Sequence, residues 1–219
     1  MSPNTAITIA GEELALLPQR AAYWPAQRAL IVADIHFGKA ASFRTSGFPV
    51  PRGTTTQNLQ MLDQLIGGHD AAQIIFLGDF LHSKAAHADA TLAAIRLWRV
   101  QNADLRLTLV RGNHDHHAGD PPQDLRIDMV NEPYRLGPFA FCHHPDQQSE
   151  AYVIAGHVHP VYHLSGRGDR LRLPCFVFGE QRAILPSFGA FTGGHAIEKT
   201  RHEQVFLVAD QLVIKMPDV

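Results

Sequence analysis

Cysteine is nearly missing from this 219-residue sequence: Cys142 and Cys175 are the whole complement. Two thiols cannot make a disulfide framework and suit a reducing compartment, so both are expected as buried core residues. Long hydrophobic runs are missing too. No stretch approaches the roughly 20 apolar residues of a membrane-spanning helix, and the first residues show no basic segment followed by an apolar one. The expected location is therefore cytoplasmic, with no membrane association. Neither sign of charge dominates: 19 Lys and Arg face 21 Asp and Glu, a formal net charge of −2. That balance excludes a globally basic nucleic-acid binder and restricts any such contact to a local patch. Repeats, low-complexity segments and linkers are absent as well, and the length fits one well-buried core. Residues 1–219 are expected to form a single domain without a separate cap.

Histidine is the residue in excess. There are 14, and many fall in short clusters beside Asp, Asn or Gly, as metal ligands do. Around them, short apolar runs bounded by Gly, Pro, Asp or Asn predict strands at 29–33, 74–77, 105–110, 139–141, 152–155, 175–178 and 205–208. Leu59, Leu62, Leu65 and Ile66 recur at helical spacing within 54–66, and Leu92, Ile95 and Trp98 within 88–101. The first half thus reads as strand, helix, strand, helix, strand, and the second as mainly β.

The ligand-type residues sit where these runs stop. Asp34 and His36 end the first run two residues apart, a spacing that an extended strand would turn to one side. Gly156-His157-Val158-His159 repeats it after 152–155. Gly78-Asp79 follows 74–77, Gly112-Asn113-His114-Asp115 follows 105–110, and His143 follows 139–141. Singly, each block is explained as a turn or a hydrogen-bonded histidine. Four strand ends in order, with a fifth histidine, make coincidence a poor account. Imidazole, carboxylate and amide donors without thiolate suit manganese, iron or zinc in an open site, with manganese favoured.

In this order the blocks resemble the five motifs of the calcineurin-like metallophosphoesterase superfamily. The resemblance implies an α/β fold, a four-layer α-β-β-α sandwich of two mixed β-sheets flanked by helices, with the site on loops at strand ends. It implies two divalent metal ions, one held by Asp34, His36 and His159, the other by Asn113, His143 and His157, with Asp79 bridging. Such a pair polarises phosphoryl oxygens and makes hydroxide available near neutral pH, so no protein nucleophile is needed. His143 is preferred to His144 because members of the superfamily use the first residue after the strand and because His144 precedes Pro145. Cys142 would point away from His143 and is read as core. His114, directly after a ligand, is expected to donate the proton to the leaving oxygen, with Asp115 orienting it. His82, His87, His116 and His117 have no ligand spacing and are expected behind the ligands or in solvent.

Substrate choice is a separate matter, because the fold and the metals do not decide it. The stretch 37–53 leaves the first motif carrying Lys39, Arg44 and Arg52, which as phosphate contacts would stand beside Phe43 or Phe48 as a stacking face for a base. With 173–176 and 185–194 it resembles the bacterial ligase-associated DNA-damage-response metallophosphoesterases, the PdeM-like family. That resemblance implies a metal-dependent DNA endonuclease preferring single-stranded DNA, working in repair with a DNA ligase, a helicase and an exonuclease. The Gly-rich 189–194 lacks the Lys-Ser/Thr ending of a P-loop and is expected to form a tight turn. Rival readings are a phosphodiesterase or phosphomonoesterase of small molecules using the same metals, and an inactive metal-bound scaffold. The second ranks low because all seven ligand positions and His114 are filled.

Overall fold

The structure, a computed structural model, describes residues 5–45, 47–50, 53–166, 170–189 and 192–218. Seven strands form the first sheet in sequence order: β1 (Thr5–Ile9), β2 (Glu12–Leu17), β3 (Ala21–Trp24), β4 (Ala29–Val32), β5 (Gln73–Leu77), β6 (Arg106–Val110) and β7 (Ile127–Val130). The first four make an antiparallel meander. From β4 to β7 the pairing is parallel. Parallel strands are buried on both faces and read as unbroken apolar runs; Ala29–Val32 is buried at every position.

Four α-helices lie among these strands: α1 (Lys39–Thr45), α2 (Thr54–His69), α3 (Asp89–Gln101) and α4 (Asn113–Ala118). In α2, Leu59, Leu62 and Leu65 share one stripe, and in α3 Leu92, Ile95 and Trp98 do. Leu59, Leu62, Leu65, Ile95 and Trp98 of these stripes pack with Leu30, Val32, Ile74, Phe76, Leu107 and Leu109 of the sheet, and Trp98 Nε1 ties the two helices by donating to Asp63 Oδ1 at 2.7 Å. The α2 helix stops at Asp70, whose left-handed backbone turns its amide back to Ile66 O.

The remaining strands, β8 (Tyr134–Leu136), β9 (Phe139–Phe141), β10 (Tyr152–Ala155), β11 (Pro160–Ser165), β12 (Arg170–Phe178), β13 (Arg182–Ile184), β14 (His195–Ala196), β15 (Gln204–Ala209) and β16 (Leu212–Lys215), form a second mixed sheet. Strand periodicity splits their side chains between two faces. Phe139, Phe141, Ile154, Phe176, Phe178, Phe206 and Val208 meet Ile31, Ala33, Ile75, Leu77 and Val110 between the sheets. Their neighbours Ala140, Cys142, Val153, Ala155, Cys175, Val177, Val205 and Leu207 take the opposite face.

Two mixed sheets with helices is the expected architecture, and the predicted strands and long helices stand within a few residues of their places. Among the described residues, side chains such as Ala151, Ile197 and Met216 pack against the outer-face clusters of the second sheet from segments outside its strands. Several elements were not predicted, among them α4, β7 and β8. The meander β1–β3 occupies a segment where no strand was predicted; in β2 the buried Leu14, Leu16 and Leu17 follow Glu12 and Glu13. A short helix, α1, occupies part of 37–53. The turn expected at 189–194 includes residues 190 and 191, outside the described residues.

Burial pushes both the Cys142 and the Cys175 thiols up to about 12, with Glu132 adding to the effect at Cys142. Neither should therefore react with iodoacetamide in the folded protein at about pH 8, where an ordinary thiol ionises. Mass spectrometry should find both cysteines alkylated only after denaturation.

Candidate metal centre

Every ligand-type residue follows the carboxyl end of a strand: Asp34 and His36 follow β4, Asp79 follows β5, Asn113 opens α4 after β6, His143 follows β9, and His157 and His159 follow β10. Since β4, β5 and β6 are parallel neighbours in one sheet and β9 and β10 in the other, these ends converge at one edge of the sandwich. Crevices outside carboxyl strand ends are where open α/β sheets bind ligands.

The two-residue spacing does not work through an extended pleat. Asp34, His36, Asp79, His157 and His159 all have positive φ, between 49° and 68°. Left-handed backbone is uncommon outside glycine and is tolerated best by Asp, Asn and His. Here it alternates with other conformations, and hydrogen bonds pin each turn: His36 N–H to Asp79 O at 2.9 Å, Phe37 N–H to Phe80 O at 2.8 Å, Ser187 Oγ–H to Asp34 O at 2.8 Å and His157 N–H to Asp34 Oδ2 at 2.9 Å. Glycine is required where backbone passes against a donor. A Cβ on Gly78 would stand 2.2 Å from His143 Nδ1, and one on Gly156 would stand 2.6 Å from Asp34 Oδ2.

The donor atoms face one another, and several of them have no hydrogen-bond partner. Asp34 Oδ1 is 3.4 Å from His159 Nε2 and 3.7 Å from His143 Nδ1. Asp79 divides its oxygens, Oδ2 standing 3.6 Å from His36 Nε2 and Oδ1 standing 3.6 Å from His143 Nε2. The latter nitrogen is 2.8 Å from Asn113 Oδ1 and 3.0 Å from His157 Nδ1. Asp34 Oδ1, both ring nitrogens of His36 and His159 Nε2 are buried with no hydrogen-bond partner. Orphaned polar atoms of this kind are costly, whereas donors ~3 to 3.5 Å apart are what a shared cation with bonds of ~2.0 to 2.2 Å requires. The residues fit metal. Asp34, His36 and His159 make one donor group, Asn113, His143 and His157 gather at the other side, and Asp79 offers an oxygen to each.

Protonation agrees with that fit. Burial, followed by Lys39 and the neighbouring imidazoles, holds His36 far below the usual imidazole range. Burial lowers His143 and His157 as well, which keeps their lone pairs free. The Asp79 carboxyl is raised to about 6 by burial and then by the charge of Asp34, a repulsion that a cation would relieve.

The other site residues are placed as follows. His114 borders the cluster, its ring 5.0 Å from that of His36. Its Nδ1 lies 2.7 Å from the His82 carbonyl, and its face stacks on the His82 ring at 4.9 Å. Asp115 does not orient it. Its carboxylate instead accepts the backbone N–H groups of Asp79, Phe80, Leu81 and Gly112, at 2.8, 2.9, 3.4 and 2.9 Å. A buried carboxylate saturated by two loops has no lone pair directed at the ring that follows it. Lys39 heads α1 near both carboxylates: burial lowers its ammonium, and Asp34 and Asp79 act against that. Arg44 donates to Val50 O within its own loop at 3.4 Å. Arg52 lies outside the described residues. His144 stands at the rim, its Nδ1 2.7 Å from Glu132 Oε1. The sequence reading missed Glu132, which carries no motif, and the carbonyl of His82, a role that no side chain announces.

Asp115→Ala should loosen the Asp79 loop and weaken manganese binding by about 10- to 100-fold, as loss of a group that supports ligands commonly does. Isothermal titration of the metal-free variant reads this directly. A folded variant with wild-type affinity would show that the loop holds itself.

A family model described as calcineurin-like phosphoesterase matches residues 27–145. Among solved structures, a Pseudomonas putida nuclease, MPE, is 48% identical over 97% of this chain and 100% of its own, with a TM-score of 0.87. AQ665 from Aquifex aeolicus, a protein of unknown function, is 19% identical over 60% of this chain and 78% of its own, at TM-score 0.42. The E. coli phosphoesterase Yfce is 14% identical over 87% and 99%, at TM-score 0.43. No curated protein matches the chain at a significant level. With its motifs gathered at one edge of a two-sheet sandwich, the chain belongs to the calcineurin-like phosphoesterase family.

Proposed function

We propose that this phosphoesterase is a metal-dependent DNA endonuclease with single strands as its preferred substrate, acting in nucleic-acid repair in the cytoplasm. The observation that carries the nucleolytic reading is the relation to the Pseudomonas putida nuclease along essentially the whole chain. The geometry supports a diester substrate: His157 is exposed at the rim of the donor cluster, and Lys39 stands beside the two carboxylates. Near them Phe43 lies stacked on His82 at 6.1 Å, with Phe48, 57% exposed, edge-on to it. Unpaired bases can stack on such faces. A duplex would have to bend or open to bring an internal phosphate into the crevice. The setting beside a DNA ligase, a helicase and an exonuclease rests on the narrower family resemblance.

In this mechanism Asp34, His36 and His159 would hold one divalent cation and Asn113, His143 and His157 another, with Asp79 offering an oxygen to each side and manganese favoured over iron and zinc. When bound, such a pair supplies Lewis-acid activation of the phosphoryl oxygens and of a water molecule. His114 in its protonated form keeps Nδ1–H on the His82 carbonyl, which leaves Nε2–H to pass a proton to the departing oxygen. Lys39, with Arg44 and Arg52 of the same segment, neutralises phosphate charge. Asp115 holds the backbone that carries Asp79 and takes no part in proton transfer.

A panel of metals against circular single-stranded DNA, circular duplex and a small aryl phosphodiester tests the reading. Manganese-dependent cleavage of the single-stranded circle should be fastest, and equal rates on the two circles would sink the strand preference. His114→Ala should lower kcat by about 10²- to 10⁴-fold, the range of general acid catalysis, with the fold intact by circular dichroism. Asp79→Ala should abolish turnover. Lys39→Ala should weaken DNA cleavage and flatten its salt dependence by about 0.7 in the log–log slope, while sparing the aryl diester. Equal losses on both substrates would favour a small-molecule phosphodiesterase.

A further inference from the structure

Glu132 lies in the link 131–133 between β7, an edge strand of the first sheet, and β8, at the end of the second. Its side chain, 16% exposed, reaches the turn that follows β9. Oε2 accepts the backbone N–H groups of His143 and His144 at 2.8 and 2.9 Å. Oε1 stands 2.7 Å from His144 Nδ1 and accepts from Gln147 Nε2 at 3.1 Å. One carboxylate is thus saturated by one short segment, 143–147. Burial alone would raise its carboxyl, but the hydrogen bonds from His144 and His143 overcome this and hold it below the usual range.

At the other end of the same residue, the fully buried His143 ring meets Leu77 O through Nδ1 at 3.0 Å. That nitrogen faces only an acceptor and must carry the proton, so Nε2 is left toward Asn113 and His157. A ring tethered at its backbone and at Nδ1 can present Nε2 in one place only. Two bonds tether that backbone: Gly156 N–H donates to His143 O at 3.1 Å, and Glu132 Oε2 takes the His143 N–H.

We infer that Glu132 is a positioning residue of the metal centre: by gripping the backbone of His143 and His144 it sets where the Asn113, His143 and His157 donors meet. The inference rests on reading those donors as a cation site. Glu132 touches none of their donor atoms, so it acts through the chain that carries them. A competing route runs through His144, whose Nδ1 contact with a carboxylate is also how ligating histidines are commonly oriented.

Isothermal titration of the full-length, chelator-treated protein with manganese chloride separates the two routes. In Glu132→Ala, one of the two binding events should weaken by about 10- to 100-fold, the scale for groups that orient ligands, while the other holds. Glu132→Gln should recover part of the loss, since its amide oxygen can still accept from both backbone N–H groups. His144→Ala should bind as wild type, because both bonds to Oε2 remain. Thermal melts of the metal-free variants separate loss of folding from loss of affinity. A folded Glu132→Ala with the wild-type isotherm overturns the inference, and so does His144→Ala reproducing the loss. Should Glu132→Ala not fold, Glu132→Gln decides, a wild-type isotherm again being fatal. The titration contains no DNA, so failure of the endonuclease reading leaves its result standing, whereas a wild-type chain that binds no manganese overturns the cation reading and this inference together.

Discussion

Asp34 and Asp79 are held close together and buried, with fully or nearly buried imidazoles on either side. Like charges so placed repel, and the folded chain has to keep them together by means other than their own attraction. Much of the local structure answers that requirement. Backbone N–H groups from His157 and His114 point at the two carboxylates, Lys39 stands near, and left-handed turns aim the donors inward. Around this ring two more carboxylates, Asp115 and Glu132, take backbone donors from the loops that carry the ligands. A preformed site of this kind needs little rearrangement to accept a cation, because the strain and the repulsion are already met by the fold.

The sequence disclosed most where one residue carries its own signature. The runs at 74–77 and 105–110 were legible because parallel strands bury both faces and become apolar throughout. The residues that gather in the donor cluster were legible because Asp, Asn and His recur at the ends of such runs. Their geometry was not: Asp34 and His36 look like two residues of one pleat, and only φ values show alternating turns. The residue types that ligate are also the ones that tolerate left-handed backbone, so either reason accounts for the letters.

Roles set by distant backbone were hidden. Asp115 adjoins His114 in sequence, which suggested a side-chain partnership, yet its acceptors face the loop that begins at Asp79, across the sheet. Glu132 belongs to no motif, and its contacts with His143 and His144 depend on how two sheets join. The helix Lys39–Thr45 is too short for periodicity to emerge, and the meander before Trp24 mixes Glu with Leu. In each case, tertiary contacts decide what local pattern leaves open.

Both donor groups draw on both sheets. Asp34 and His36 extend from the first and His159 from the second; Asn113 extends from the first, and His143 and His157 from the second. A cation seated in either group would therefore be a rivet through the edge of the sandwich, added to the apolar core and to the few hydrogen bonds, such as Ser187 Oγ–H to Asp34 O, that already join the layers. Ligands that bind only the folded state stabilise it in proportion to the logarithm of their concentration over Kd. With the proposed cations in place, the resistance of the two layers to parting would be tied to the supply of metal in the surrounding solution, and a chelator would act on this protein as a mechanical agent as much as a chemical one.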